Sequence, residues 1–179
     1  MPYLLSLDAR LTTYLFHIMP RLSFFDVFFS FLSLSGGFAV WGIVFIFLLI
    51  LFEERRNHTF LLYFIAGSSF TFLLVNNILK EVFMRTRPLL NNTCPRDFSF
   101  PSTHAATAFA AAVMLSYFDK KRAGFYYFVA FLVSFSRIYL GCHYLLDVVF
   151  GGLVGYLIVK IILFIKSSYR KKGGTVQKR

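Results

Sequence analysis

Between residues 38 and 165 the chain keeps returning to apolar runs, at roughly 38–52, 59–79, 103–118, 124–140 and 144–165. Each approaches the ~20 residues that carry a helix across a bilayer. At 58% hydrophobic, with 25 Phe in 179 residues, the chain is also too apolar for a soluble domain of ordinary composition. The expected fold class is therefore all-α: an integral membrane helical bundle of five transmembrane helices, or six if residues 22–35 also cross. Residues 3–19 place Leu4, Leu7, Leu11, Tyr14, Leu15 and Ile18 at helical spacing with polar residues between them, the pattern of a helix lying in the membrane interface. The stretch "LSFFDVFFSFLSLS" (22–35) is apolar but short and carries Asp26 and four serines, which suits an interfacial or re-entrant helix. Three regions follow: N-terminal interfacial helices over 1–35, a transmembrane core over 36–166 and a basic tail over 167–179. Asp8 and Arg10 interrupt what would have to be the apolar core of a cleavable signal, so none is expected.

The formal charge is +11. In a soluble protein that would suggest nucleic acid. Here the charge clusters between apolar runs, so orientation in the membrane accounts for it and no nucleic-acid partner is expected. Arg55 and Arg56, then Lys120, Lys121 and Arg122, then Lys166, Arg170, Lys171, Lys172, Lys178 and Arg179 fall on one side, which the positive-inside rule makes cytoplasmic. Lys80, Arg85, Arg87, Arg96 and Arg137 fall on the other, close to His104 and His143. Those cations need a different reason.

Three stretches converge there. In "KEVFMRTRP", Lys80 and Arg87 are seven residues apart, a spacing that puts both on one helical face until Pro88 disfavours helix at Arg87. "PSTH" (101–104) precedes an alanine-rich run; Ser or Thr before a helix is a capping signal, and the free N–H groups of a helix start suit an anion. In "SRIYLGCHYLLD" (136–147), Arg137 closes one run, while His143 and Asp147 open the next. Their i, i+4 spacing lets Asp147 accept a hydrogen bond from one imidazole nitrogen and leave the other free to attack. Three cations, a helix start, a hydroxyl and two histidines would stabilise an oxyanion and carry a two-step phosphoryl transfer to water.

The pattern Lys-x6-Arg-Pro, Pro-Ser-x-His, Ser-Arg-x5-His-x3-Asp resembles the type 2 phosphatidic acid phosphatase (PAP2) superfamily, over roughly residues 55 to 165. The resemblance implies that His143 is the nucleophile that becomes phosphorylated, with Asp147 as its orienter, and that His104 protonates the leaving oxygen. It places Lys80, Arg87, Ser102, Thr103 and Arg137 around the phosphoryl group, and implies no metal and no cofactor. Where the family usually has Gly this chain has Thr103, whose amide can still donate but whose side chain crowds the turn. The implied enzyme is a bacterial inner-membrane lipid phosphatase, multi-pass, with its site facing the periplasm. Its partner is a phosphorylated membrane lipid, and no obligate protein partner is implied. Lipid A 1-phosphate is placed slightly ahead of phosphatidylglycerophosphate and undecaprenyl pyrophosphate, which the motifs do not separate. A transporter would be expected to show inverted repeats, and none is evident. A non-catalytic lipid-binding homologue would be expected to lack His104, His143 or Asp147. A haloperoxidase fits poorly with the membrane spans.

Outside the motifs, Arg85 and Arg96 are expected to meet lipid headgroups or water, and Glu81 to pair with Arg85 at i, i+4. His17 and His58 are assigned surface roles. Ala105, Ala106, Gly151, Gly152 and Gly155 are expected to allow close helix packing. Cys94 and Cys142 are too few for a disulfide scaffold and lack zinc-site spacing. Both fall on the outer face, where they either bond to each other or remain independent thiols; sequence supplies neither the distance nor the Cβ directions.

Overall fold

The computed structural model describes residues 2–33, 58–88, 90–91 and 94–176. The run expected at 38–52, the break at Gly36-Gly37 and the region boundary at 35/36 lie outside them. Among the described residues every regular element is helical. These are α1 (Pro2–Ile18), α2 (Ser23–Leu32), α3 (His58–Leu74), a π-helical turn (Val75–Leu79), α4 (Lys80–Phe83), α5 (Thr103–Phe118), a short 3-10 turn (Lys120–Arg122), α6 (Ala123–Tyr139) and α7 (Leu145–Val176). Two stretches here are apolar and long enough to cross a membrane, Leu62–Phe83 and Leu145–Ser168.

The bundle is organised around α5, which packs on α3, α6 and α7. Its 16 residues make it about 24 Å long, shorter than a hydrocarbon core of ~30 Å. Instead of facing lipid, its alanines are walled in by neighbours: Ala105, Ala106, Ala108, Ala110 and Ala112 have no exposed surface. Small residues on the facing helix make this possible. A Cβ on Gly155 would lie 1.9 Å from the Ala106 carbonyl oxygen, and one on Gly151 would lie 2.5 Å from the Ser102 carbonyl oxygen. The expected close packing is present, and it seats the first turn of α5 directly on α7.

The two N-terminal helices pack on the bundle through particular faces. On α1 the apolar residues Leu4, Leu7, Leu11, Tyr14 and Ile18 are exposed, whereas Asp8 and Thr12 are buried. In lipid the apolar face of a helix can point outwards, so here the polar face is the one that packs. Helix α2 has ten residues and is about 15 Å long, too short to cross. It buries Phe29 and Leu32 in the same cluster as Tyr139 of α6, and the Tyr139 hydroxyl donates to Asp26 Oδ1 at 2.7 Å. At the other end, α7 continues to Val176, past the boundary at 166 expected for the core; "KSSYRKK" contains no proline to stop it.

Cys94 and Cys142 are disulfide-bonded, with Cα atoms 5.3 Å apart. The bond ties the 94–101 loop to the turn that carries His143. Cys94→Ser is expected to lower stability by about 2–4 kcal/mol, by freeing a long loop in the unfolded chain. Turnover should persist, because neither sulfur has a role in the implied phosphoryl transfer. Thermal unfolding and a rate assay on the same preparation check this, and an unchanged melting temperature would contradict it.

Candidate active site

The histidine turn is built by a glycine. Gly141 takes φ +69° and ends α6: its N–H donates to the Ile138 carbonyl (2.9 Å), and the Cys142 N–H to the Arg137 carbonyl (3.0 Å). That double closure is a Schellman motif, which needs a residue comfortable in the left-handed region. It folds Cys142 and His143 back over the last turn of α6, so that His143 N–H also donates to the Arg137 carbonyl at 3.3 Å. His143 is then buried, 1% exposed, beside Arg137 at 3%.

The Lys80/Arg87 segment reaches the same place by a different path from the one its spacing suggests. The helix stops at Phe83, with Met84 in the left-handed region at φ 45°, so Arg87 is not on the helical face of Lys80. Instead both cations meet on Asp97: Lys80 Nζ pairs with Oδ2, and Arg87 Nη2 with Oδ1 at 2.7 Å. Arg87 Nη1 donates to the Cys142 carbonyl and lies 2.8 Å from His143 Nε2. A guanidinium has no lone pair to offer, so Nε2 must accept and the ring proton sits on Nδ1. His143 therefore presents a neutral nitrogen with its lone pair aimed at the cations.

Asp147 is not hydrogen-bonded to His143 as the i, i+4 spacing predicts. Nδ1 lies 3.5 Å from Asp147 Oδ2, and among the described residues it makes no well-formed hydrogen bond. The reason is local: α7 begins at Leu145, so His143 precedes the helix and helical spacing does not govern the pair. Asp147 Oδ2 instead accepts from Tyr144 N–H at 2.9 Å, and Oδ1 from Arg85 Nη1 at 2.7 Å. This corrects the reading of Arg85. Its ion pairs are with Asp147 and Asp8, not with Glu81 or lipid headgroups, and its side chain is only 15% exposed. Arg96 and His17 are exposed, as expected.

Ser102 caps α5, its Oγ accepting from Ala105 N–H, while its own N–H donates to the Asp147 carbonyl at 2.9 Å. Thr103 is buried at the first position of α5, and its Oγ1 has no partner. His104 Nε2 donates to the Ser33 carbonyl at 3.1 Å, and Arg137 Nη1 donates to Ser33 Oγ. Ser33, Asp97, Asp8 and Thr12 were not singled out by sequence as parts of the site. Four buried side-chain polar atoms among the described residues lack a hydrogen bond; three of them are Thr103 Oγ1, Arg137 Nε and His143 Nδ1. Unsatisfied groups gathered in this way mark a place that binds something polar.

Burial is the main force that holds His143 well below the usual imidazole range, followed by the charges of Arg87, Arg137 and Lys80. For Asp97 burial works in the opposite sense and raises its pKa. The hydrogen bond from Lys80 and the charge of Arg87 outweigh it, so the carboxyl titrates below its ordinary range.

Among the described residues, an all-helical and largely apolar bundle gathers Lys80, Arg87, Arg137 and two histidines at one end, an arrangement that suits an anion. The chain belongs to the PAP2 superfamily, whose family model matches residues 57–171. It is 33% identical over 147 residues to an undecaprenyl-diphosphatase of Sulfolobus acidocaldarius, covering 77% of this chain and 69% of that protein. To a lipid A 4'-phosphatase of Bacteroides thetaiotaomicron it is 27% identical over 143 residues, 70% of this chain and 64% of that protein's length. Its fold matches the crystal structure of a transmembrane PAP2 type phosphatidylglycerolphosphate phosphatase from Bacillus subtilis with a TM-score of 0.70, at 24% identity, over 94% of this chain and 88% of that one.

Proposed function

We propose that this chain is a membrane lipid phosphatase that hydrolyses a phosphomonoester or pyrophosphate without a metal, through phosphohistidine at His143. The observation that carries the reading is the neutral Nε2 of His143, 2.8 Å from Arg87 Nη1 and held among Lys80, Arg87 and Arg137. As substrate draws Arg87 Nη1 from Nε2 to the phosphoryl oxygens, the freed Nε2 lone pair attacks phosphorus while the bond to the lipid oxygen breaks, and His104 gives that oxygen a proton. Water then attacks phosphorus, His104 takes a proton from that water, and the phosphorus–nitrogen bond breaks with its electron pair returning to His143 Nε2 as inorganic phosphate leaves. Lys80, Arg87, Arg137 and the first N–H groups of α5 hold the charge on the phosphoryl oxygens. A site lined by three cations repels a divalent ion, which supports metal-free chemistry.

The named relatives act on different phosphorylated lipids, which supports the class and not one headgroup. Lipid A 1-phosphate remains our first candidate, ahead of undecaprenyl pyrophosphate and phosphatidylglycerophosphate. Purified protein should release phosphate from at least one of the three in EDTA, and vanadate should inhibit. Failure on all three, or a strict magnesium requirement after chelation, sinks the proposal. We also place the site on the outer face of a bacterial inner membrane, because it lies at the opposite end of α5 from Lys120, Lys121 and Arg122. An impermeant thiol reagent reaching Lys121→Cys from outside intact cells would reverse that orientation.

Asp97 offers its carboxylate to the cations a phosphoryl group needs, so substrate must displace it. Asp97→Asn is expected to lower KM and the inhibitory vanadate concentration by about 3- to 10-fold, the cations being released from an anionic rival. A rise in KM would show instead that Asp97 holds Lys80 and Arg87 in place. Because its pKa is depressed, the pairing is present above the ordinary carboxylate pKa of ~3.9 and is lost only as pH falls through the lower folded value.

A further inference from the structure

We propose that Arg85 is a positioning residue for this phosphoryl transfer and that Asp8 anchors it, so that α1, outside the residues matched by the family model, completes the active site. The proposal rests on the phosphatase reading above. The Arg85 guanidinium bridges two buried carboxylates, with Nη1 2.7 Å from Asp147 Oδ1 and Nη2 2.7 Å from Asp8 Oδ2. Its Cζ lies over the Tyr144 ring, 3.9 Å from the centroid. The side chains of Asp8 and Asp147 are 2% and 0% exposed.

The same cluster accounts for the start of α7, whose first N–H groups have no helical acceptor. Tyr144 N–H goes to Asp147 Oδ2, Leu145 N–H to Thr12 Oγ1 at 3.0 Å and Leu146 N–H to Asp8 Oδ1 at 3.0 Å. Two of these three acceptors come from α1. With Oδ1 held by Arg85, the carboxylate plane of Asp147 is fixed and Oδ2 stays directed at His143 Nδ1, 3.5 Å away. A short closing movement then supplies the hydrogen bond that steadies the imidazole as phosphorus bonds to Nε2. Without Arg85, Asp8 and Asp147 would be two buried carboxylates with no cation between them. Their mutual repulsion would then turn Asp147 away from His143.

Arg85→Met is expected to lower kcat about 10- to 100-fold, short of the loss from removing the orienting carboxylate itself. KM should stay within about threefold, because Lys80, Arg87 and Arg137 are untouched. Arg85→Lys should recover part of kcat, since an ammonium pairs with one carboxylate but cannot span both. Asp8→Asn keeps an oxygen for Leu146 N–H and should fold, giving a smaller fall in kcat. The network is also tested without turnover, by melting temperatures of Asp8→Asn, Arg85→Met and the double variant. Coupled residues predict a double variant no less stable than Arg85→Met alone. Additive losses in melting temperature, or wild-type kcat in Arg85→Met, overturn the proposal. If the wild-type protein hydrolyses no lipid phosphate, the functional reading fails, and the stability cycle still decides whether α1 and Arg85 form one unit with Asp147.

Discussion

Replacing His143 with Ala is expected to reduce turnover by at least about 10³-fold, while KM for any residual reaction changes little. The reacting nitrogen is lost, whereas the groups that hold phosphate remain. The wild-type protein, quenched rapidly with labelled substrate, should carry acid-labile phosphate on the chain, and His143→Ala should carry none. Wild-type labelling in that variant would place the nucleophile elsewhere. The pH profile follows from the same environment. Burial first, then Arg87, Arg137 and Lys80, keep His143 neutral, so protonation should impair the nucleophile only below the ordinary imidazole pKa of ~6.5. kcat/KM should therefore be level through neutral pH on this account, its acid limb displaced downwards. His104→Ala should slow substrates with poor leaving groups most, since a good leaving group needs less protonation.

What sequence shows of this site is the part written in short motifs. Lys80, Arg87, Ser102, His104, Arg137, His143 and Asp147 stand at fixed spacings beside punctuating residues such as Pro88 and Pro101, and the structure brings them to one end of the bundle. The groups that bind these residues to one another come from far along the chain. Arg85 meets Asp147 across 62 positions and Asp8 across 77, and Arg137 meets Ser33 across 104. No local pattern marks such partners. Arg85 stands inside a motif at a position the motif leaves free, and the four-residue step from Glu81 suggested the wrong mate. Helical periodicity marks α1, but not that Asp8 and Thr12 on its polar side are the residues that pack into the bundle. The i, i+4 spacing of His143 and Asp147 does not make a helical pair, because α7 starts between them.

The small residues show how far the site depends on the bundle beneath it, and Gly155 is the sharpest case. A side chain there meets backbone: its Cβ would lie 1.9 Å from Ala106 O, 2.7 Å from Ala106 C and 2.9 Å from Ala106 Cα. A flexible neighbour could turn aside, but a helix backbone cannot, so α5 and α7 must separate. Gly155→Ala is expected to cost at least about 3 kcal/mol, the upper end for overpacking, even though alanine is the better helix former. The damage should reach the chemistry. Ala106 N–H is bonded to the Ser102 carbonyl, so a displaced first turn of α5 carries Ser102 and His104 with it. Gly124 provides the control, because a Cβ there meets nothing within 4 Å. Gly124→Ala should be neutral or gain up to ~1 kcal/mol from helix propensity and leave turnover unchanged. Thermal unfolding of both variants in the same detergent makes the comparison. If Gly155→Ala melted within about 0.5 kcal/mol of wild type, as an ordinary surface substitution does, α5 and α7 would not be in backbone contact and the seating of Ser102 on α7 would be wrong.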